Sequence, residues 1–301
     1  MRGIDGSMGS AGSSAARQRD PRPVRRGRLL AWACGIGLVA ATVALILHGL
    51  AAVTPAGTQI RVGEYPNYLA VAGGSLFADF GGGQTVTPVS IATGMSGTPI
   101  PVGVGPSGMF VAGGLLYVAD YNDDAVTPIS IATGRPGAPI PAGRCPEALA
   151  VAAGTLYAAN FAMNCPGPGP AGGIVTPISI ATGKSGRLIR VGKDPFALAV
   201  AGGTLYVADR GSNTVTPVSI AGGKPGTPIP VGKNPDALAV AGGTLYAANY
   251  GSSTVTPVSI ASGKPGTPIP VGSGPVALAV AGRTLYVANH TDGTITAVKI
   301  S

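Results

Sequence analysis

The sequence predicts an all-β fold: a six-bladed β-propeller with four-stranded antiparallel blades, preceded by one transmembrane helix. Three observations lead to this prediction. The chain of 301 residues contains 49 Gly and 28 Pro, which break helices. A unit of about 40 residues recurs six times along the chain. An apolar run over residues 29–47 stands before the repeats and directly after a cluster of Arg.

Composition excludes two other classes of protein. Only 11% of the residues are charged, against about 25% in ordinary soluble domains, but 45% are hydrophobic, which is too many for a disordered chain. The net charge of +8 is unevenly placed: residues 1–55 contain seven Arg and two Asp, whereas residues 56–301 contain 13 basic and 10 acidic residues. A nucleic-acid-binding surface needs a dense basic patch. The repeats lack one, so we predict no nucleic-acid partner.

The N-terminal region has the pattern of a membrane anchor. Residues 1–28 are rich in Gly, Ser and Arg, and we interpret them as a basic, disordered cytoplasmic tail. Residues 29–53 are long enough for a transmembrane signal-anchor helix, which needs about 20 residues, whereas a cleaved signal has an apolar core of about 7–15. The Arg cluster keeps the N-terminus cytoplasmic and places the repeats outside the cell membrane. Secretion after signal cleavage is the alternative.

Residues 54–301 form the predicted propeller domain. A proline marks each copy of the repeat: Pro66, Pro106, Pro146, Pro195, Pro235 and Pro275. Four of the intervals are 40 residues long, and the third is 49 because it holds a Gly/Pro-rich insertion at residues 164–173. A repeat of this length with four short β segments is typical of a propeller blade.

Turn residues divide each copy into four strands, A to D. In the fifth copy we expect strand A over residues 237–241, strand B over 244–249, strand C over 255–261 and strand D over 267–271. Strand C contains a proline in five copies, although it should lie between B and D. Proline is disfavoured in a central strand, so either pairing begins after the proline or a bulge interrupts each blade.

The two ends of the domain predict closure into a ring. The sixth copy ends after strand C, and residues 57–63 (GTQIRVG) match strand D of the fifth copy at residues 266–272 (GTPIPVG). We therefore expect this N-terminal strand to complete the last blade. Strand D reads Pro-Ile-Pro in four copies, and these prolines remove hydrogen-bond donors from an exposed edge.

Strand B of several copies carries a recurrent motif. Residues 116–120 and 205–209 read LYVAD, and residues 285–289 read LYVAN. The motif resembles that of the YVTN-repeat β-propellers found in surface-layer and other exported microbial proteins, with Ala in place of Thr. The resemblance covers about residues 56–301. It implies the propeller fold but little about function, because most members of that family have no assigned chemistry.

In an antiparallel blade the D-to-A and B-to-C loops lie on one face, which we name the loop face. These loops vary between copies and hold most of the aromatic and charged residues, whereas the opposite loops repeat Gly, Thr and Lys. The candidate ligand-binding residues on the loop face are Tyr65, Asn67, Glu147, Asp194, Phe196, Arg210, Asp236, Tyr250 and His290. The alternative is variation among solvated loops that bind nothing.

The last residue of strand B is acidic or an amide in all six copies: Asp79, Asp120, Asn160, Asp209, Asn249 and Asn289. A side chain used in every blade is expected to bind loop backbone N–H groups rather than a ligand. We therefore predict a structural role for this position.

The sequence selects no catalytic residue, cofactor or metal. His290 is the one histidine of the repeats, and no spacing joins it to a nucleophile. Asn67, Glu147 and Asp236 each follow a marker proline, in alternate copies, and oxygen ligands at these places would suit a hard cation at the axis. Three such positions do not define a metal site, and none is predicted.

The cysteines predict one disulfide. Cys34 lies in the apolar run, which leaves Cys145 and Cys165, both in loops of the third copy. Outside the membrane a disulfide between them is favoured over free thiols. The bond would hold the Gly/Pro-rich insertion against the loop face.

These observations predict a membrane-anchored, extracytoplasmic module without catalytic activity. Its partner would be an unidentified protein, glycan or small molecule bound at the loop face. Two alternatives remain. One is an exported enzyme of lactonase or lyase type that uses the axial mouth of the ring, and the other is a structural protein of the cell surface.

Overall fold

The computed structural model describes residues 66–80, 83–161, 165 and 172–300, apart from the side chains of Pro66, Asn67 and Phe80. The predicted cytoplasmic tail (residues 1–28), transmembrane segment (29–53) and closing strand (57–63) lie outside the described residues. Within the described part of the chain, no helix combines the length and the apolar character that a membrane span needs.

Six antiparallel sheets follow one another along the chain, each built from strands that are consecutive in sequence. The first two sheets comprise β1 (Pro66–Ala72), β2 (Ser75–Phe80), β3 (Thr85–Ser90), β4 (Ile100–Pro101), β5 (Pro106–Ala112), β6 (Leu115–Asp120), β7 (Ala125–Ser130) and β8 (Ile140–Pro141). The third and fourth comprise β9 (Pro146–Ala152), β10 (Thr155–Asn160), β11 (Gly173–Ser179), β12 (Ile189–Val191), β13 (Pro195–Ala201), β14 (Thr204–Asp209), β15 (Thr214–Ser219), β16 (Lys224–Pro225) and β17 (Ile229–Pro230). The fifth and sixth comprise β18 (Pro235–Ala241), β19 (Thr244–Asn249), β20 (Thr254–Ser259), β21 (Ile269–Pro270), β22 (Pro275–Ala281), β23 (Thr284–Asn289) and β24 (Thr294–Lys299). A 3-10 turn, Tyr250–Ser252, follows β19.

The hydrophobic core lies between consecutive sheets. Between the fourth and fifth sheets, Tyr206 and Val215 pack against Leu245 and Val258. Equivalent clusters join the first sheet to the second, the second to the third, the third to the fourth and the fifth to the sixth. The first strands of the sheets line a common cavity. Sheets that stack through apolar faces around such a cavity form a propeller-like fold, so the all-β prediction is confirmed at this level.

The outer faces of the first and last sheets differ from the faces between sheets. Tyr286 is 41% exposed, whereas Tyr206, at the same position of the fourth sheet, is 4% exposed. Ile295 is 71% exposed, against 0% for Val215. Leu69 of the first sheet is 45% exposed. Among the described residues, therefore, the core between the sixth and first sheets that a closed ring requires is not formed.

The proline of strand C is accommodated without a bulge, and both expectations for it are wrong. Pro128 pairs with Tyr117 in an unbroken register between β6 and β7. Its carbonyl oxygen accepts a 2.7 Å hydrogen bond from Gly137 N, on the side away from β6. The N–H and C=O of one strand residue point to the same side, so the N–H that Pro128 lacks would also point away from β6. The last strand, β8, pairs only with Ala125 and Val126, so the proline removes no ladder bond.

Strand D is shorter than predicted. Its expected range in the fifth copy is 267–271, whereas β21 comprises only Ile269–Pro270. Proline has no N–H to donate, so the repeated prolines end the pairing. Where Arg190 replaces the second proline, the strand extends to Ile189–Val191. One register recurs in five sheets, in the pairs Val86–Ile100, Val126–Ile140, Val175–Ile189, Val215–Ile229 and Val255–Ile269.

Candidate functional site

The first strand of each sheet lines the cavity, and we call it the inner strand. The central side chains of the loop face come from a β-bulge at the start of the inner strands of the third, fourth and fifth sheets. In the fifth sheet both Pro235 and Ala237 pair with β19, and Asp236 is the extra residue between them. Glu147 and Phe196 hold the same extra position in the third and fourth sheets. A bulge turns its extra side chain out of the regular alternation. All three side chains are buried.

Glu147 is a buried carboxyl group with a hydroxyl partner from another sheet. Tyr68 Oη donates a 2.5 Å hydrogen bond to Glu147 Oε1. Burial raises the pKa of Glu147 from 4.5 to about 7, because the ionised form loses its hydration. The Tyr68 hydrogen bond and the charge of Arg210 oppose this rise in pKa, whereas the charges of Asp79 and Asp236 add to it. Glu147 therefore gains or loses its proton near neutral pH.

Arg210 joins the charged and the aromatic parts of the site. Its Nε forms an ion pair with Asp236 Oδ1 at 2.8 Å. Its guanidinium carbon lies 5.1 Å from the ring centre of Phe196 and 5.8 Å from that of Tyr250, both within cation–π range. Phe161 meets Phe196 edge-on, with ring centres 5.3 Å apart. Burial raises the pKa of Asp236 to about 7, and the charge of Arg210 opposes that rise.

An axial cavity of about 250 Å³ opens next to this cluster. The inner strands of all six sheets line it, and their apolar side chains form most of its wall: Met109, Leu149, Leu198, Val200, Leu238 and Val240. Tyr68, Glu147 and Phe196 line its end at the loop face. The cavity is thus an apolar channel with polar groups at one end, which is the usual composition of a small-molecule site.

The remaining predicted site residues lie around this cluster or outside the described residues. Asp194 is half-buried, its carbonyl oxygen accepts a 2.9 Å hydrogen bond from Arg210 N, and burial raises the pKa of its carboxyl. His290 is exposed in the turn after β23. Tyr65 and the side chain of Asn67 lie outside the described residues. The structure therefore brings together five of the nine predicted residues: Glu147, Phe196, Arg210, Asp236 and Tyr250.

The Asp or Asn that ends strand B makes structural hydrogen bonds, but among the described residues the predicted loop N–H partner is found only where it is Asp, as at Asp120 and Asp209. The Asn side chains instead donate through Nδ2: Asn160 to a backbone carbonyl, and Asn249 and Asn289 to threonine hydroxyls. Asp120 Oδ1 accepts a 3.0 Å hydrogen bond from Gly103 N, and its Oδ2 accepts one of 2.6 Å from Thr127 Oγ1. The threonine partner was not predicted, and it recurs in the pairs Asn160–Thr176, Asp209–Thr216, Asn249–Thr256 and Asn289–Thr296. The loop glycine packs closely against this side chain. A Cβ added at Gly192 would lie 2.6 Å from the side chain of Asp209.

The predicted disulfide is present, since Cys145 and Cys165 are bonded with their Cα atoms 5.9 Å apart. Cys145 N also donates a 2.8 Å hydrogen bond to Asp124 Oδ1 in the second sheet. Within the described ranges, Asp124 and the two cysteines are the one group of three potential metal ligands within 4.8 Å of each other. Because disulfide sulfurs are not thiolates, this group is not a metal site. Glu147 and Asp236 belong to no such group there.

Tyr68 is the site residue that the sequence reasoning missed. The corresponding residues of the other copies are all small: Gly108, Ala148, Ala197, Ala237 and Ala277. A tyrosine at a position otherwise held by Gly or Ala was the available signal. The second sheet leaves little room at the axis, because a Cβ added at Gly108 would lie 2.4 Å from the Glu147 carbonyl oxygen.

Comparison with known proteins supports the fold and nothing finer. No protein-family model matches the chain, and no curated protein sequence matches it. The computationally designed Ika8 protein superposes with a TM-score of 0.65 at 16% identity, over 78% of this chain and 71% of that chain. Hydrazine synthase from Kuenenia stuttgartiensis superposes with a TM-score of 0.53 at 17% identity, over 83% of this chain and 99% of that chain. The resemblance to YVTN-repeat propellers stays a prediction.

Proposed function

We propose that this protein is a non-catalytic binding module whose ligand occupies the axial cavity at the loop face. The observation that carries the proposal is the buried carboxyl of Glu147 in the lining of an apolar cavity, with the ion pair of Asp236 and Arg210 close to it. Burial of charged groups is unfavourable unless they are paired or used. Their place beside a cavity of about 250 Å³ favours a small molecule over a protein or a glycan.

The proposal divides the predicted residues into two sets. Glu147 and Phe196 line the cavity and contact the ligand, and Asp236, Arg210 and Tyr250 support these two side chains from beside the cavity. The second set would form the rim of the site, as expected from its positions in the repeat: Tyr65, Asn67, Asp194 and His290.

An enzyme of lactonase or lyase type is the second candidate, and one observation favours it. Glu147 has a pKa of about 7, which suits a group that donates and accepts a proton at neutral pH. Hydrolysis of a lactone by the purified chain, abolished by Glu147→Gln, would replace the binding proposal with the enzymatic one.

The proposed place of the protein is the cell membrane, with the sheets outside and residues 29–53 as a single-pass anchor. The Cys145–Cys165 disulfide supports an oxidising compartment. The Arg-rich segment before the apolar run supports the orientation. A membrane-impermeant amine reagent should label the protein on intact cells, and the full-length chain should stay with membranes after alkaline extraction. A shortened chain in the medium would instead indicate a cleaved signal.

We propose further that residues 57–63 provide the missing strand of the sixth sheet. The Val–Ile register shared by the five other sheets would pair Ile60 with Ile295, whose side chain is exposed at the start of β24. The completed sheet would present the same apolar face as the other five. That face could then pack on Leu69 of the first sheet and close the ring around the cavity.

Thermal denaturation of the full chain with a panel of small organic molecules tests the binding proposal. Ala199 lines the cavity, and Ala199→Phe would fill it. A cavity ligand should raise the Tm of the wild type and leave that of the filled variant unchanged. Val240→Phe, at the opposite end of the cavity, is a second filled variant should the first fail to fold. A panel without any stabilising compound, or equal stabilisation of wild type and filled variants, would contradict the proposal.

A further inference from the structure

We propose that the axial cavity binds a small organic cation, a primary ammonium group on a short apolar chain, with the ammonium held by Glu147. This inference rests on the proposed function and names the class of ligand. The shape of the cavity, the balance of charge at its polar end and the hydrogen-bonding capacity that Glu147 retains all favour this class.

The shape of the cavity requires a ligand with two unlike ends. Its wall is built from the Leu, Val and Ala side chains of the inner strands, such as Leu149, Leu198 and Leu238. Its polar end is formed by Glu147 with Tyr68. A volume of about 250 Å³ lies below the usual range for drug-sized ligands. The ligand is therefore short, with one polar head and an apolar tail.

The balance of charge at the polar end favours a cation. The Glu147 carboxyl interacts electrostatically with the carboxylates of Asp79 and Asp236 and with the guanidinium of Arg210. Arg210 is already held by Asp236 and by the rings of Phe196 and Tyr250. Three carboxyl groups thus face one cation. An anionic head would be repelled, and a neutral head would gain hydrogen bonds without charge attraction.

Glu147 can still accept hydrogen bonds from a ligand. Tyr68 Oη occupies one position on Oε1, whereas a carboxylate offers about four lone-pair sites on its two oxygens. An ammonium group carries three N–H donors and no acceptor, so it complements this remaining capacity. The Tyr68 hydrogen bond also fixes the carboxylate in the orientation that faces the cavity.

Proton linkage gives the binding a recognisable pH dependence. An ammonium group binds the ionised form of Glu147, and an alkylamine keeps its own charge at neutral pH, since its pKa resembles the ~10.4 of Lys. Glu147 has a pKa of about 7, set by burial and by Tyr68, Arg210, Asp79 and Asp236. Below that value binding must release a proton, so the apparent affinity falls about tenfold for each pH unit.

Titration calorimetry on the full chain tests the inference with three probes of equal chain length: hexylammonium, hexanol and hexanoate. Hexylammonium should bind at one site, at least about tenfold tighter than hexanol, because charge-assisted hydrogen bonds are about twice as strong as neutral ones. Its affinity should rise with pH from about 6 to about 8. Hexanoate should not bind. Glu147→Gln should bring the affinity for the ammonium within about twofold of that for the alcohol and reduce its pH dependence to the part that Asp236, with a pKa of about 7, contributes. Asp123 is an exposed carboxylate in a loop of the second sheet, and Asp123→Asn should change neither the affinity for hexylammonium nor its pH dependence.

Three other outcomes would overturn the inference. Hexanol or hexanoate binding as tightly as hexylammonium, with binding lost in Ala199→Phe, would reject the ammonium class but retain the cavity as a binding site. Binding of none of the three probes, while other compounds of the thermal panel occupy the cavity, would also reject the class alone. Binding of none of the three, together with an inactive panel, would reject both this inference and the proposed function.

Discussion

The pH dependence of stability should change when Glu147 is replaced by Gln. Burial raises the pKa of this carboxyl from 4.5 to about 7 in the native state. The native protein therefore holds a proton that the unfolded chain has already released. The stability that Glu147 contributes is complete below pH 4.5 and is lost as the pH rises through about 7. The expected loss over that range is ~3 kcal/mol, because each pKa unit corresponds to about 1.36 kcal/mol.

Urea denaturation at several pH values between about 5 and about 8 measures this loss. Gln keeps the acceptor for the Tyr68 hydroxyl but cannot ionise, so the variant should lose less stability than the wild type over this range. Asp236 also has a pKa of about 7 and titrates in both proteins, so the variant should retain the part of the loss that Asp236 causes. Asp123→Asn is the control for removal of an exposed charge. Parallel wild-type and Glu147→Gln profiles would refute the reasoning.

Three further predictions concern the scaffold. Cys165→Ser should lower the free energy of unfolding by about 3 kcal/mol, because the bond closes a loop with a sequence separation of 20; an unchanged Tm would contradict this. Thr216→Val removes the hydroxyl that donates to buried Asp209, and urea denaturation should show a loss of ~2 kcal/mol. Gly192→Ala places a Cβ 2.6 Å from Asp209 and should cost ~1–3 kcal/mol in the same assay. Gly222→Ala, whose nearest neighbour would lie 3.7 Å away, should cost less, and equal costs would refute the steric argument.

Local sequence was sufficient to predict strand B and the position of Glu147. Strand B of the fifth sheet has the predicted bounds, Thr244–Asn249, because a Gly-Gly turn and the terminal Asn fix its two ends. Asn67, Glu147 and Asp236 were expected near the axis, and Glu147 lies there, in the lining of the cavity. The repeat made this possible, since six copies show which positions are constant and which vary.

Contacts between distant copies could not be predicted in this way. Tyr68 and Glu147 are 79 residues apart, and their hydrogen bond depends on the bulge that redirects Glu147. The local pattern also does not reveal that Pro128 stays within a regular strand. Pro128 is tolerated because the partner strand β8 is short and does not pair with it. These features follow from the geometry of pairing between strands, which propensity alone does not describe.

Residues 57–63 are proposed to close the ring around the axial cavity, and the binding site depends on this closure. Ile60→Cys with Ile295→Cys, in a Cys34→Ser background, tests this closure by mass spectrometry of the non-reduced full chain. Paired residues on neighbouring strands have Cα atoms about 4.5–5.5 Å apart, within the range of a disulfide. We predict a bond within one chain, and none when Met95→Cys, at an exposed loop of the first sheet, replaces the Ile295 change. Free thiols at positions 60 and 295, or a bond between two chains, would contradict the closed ring.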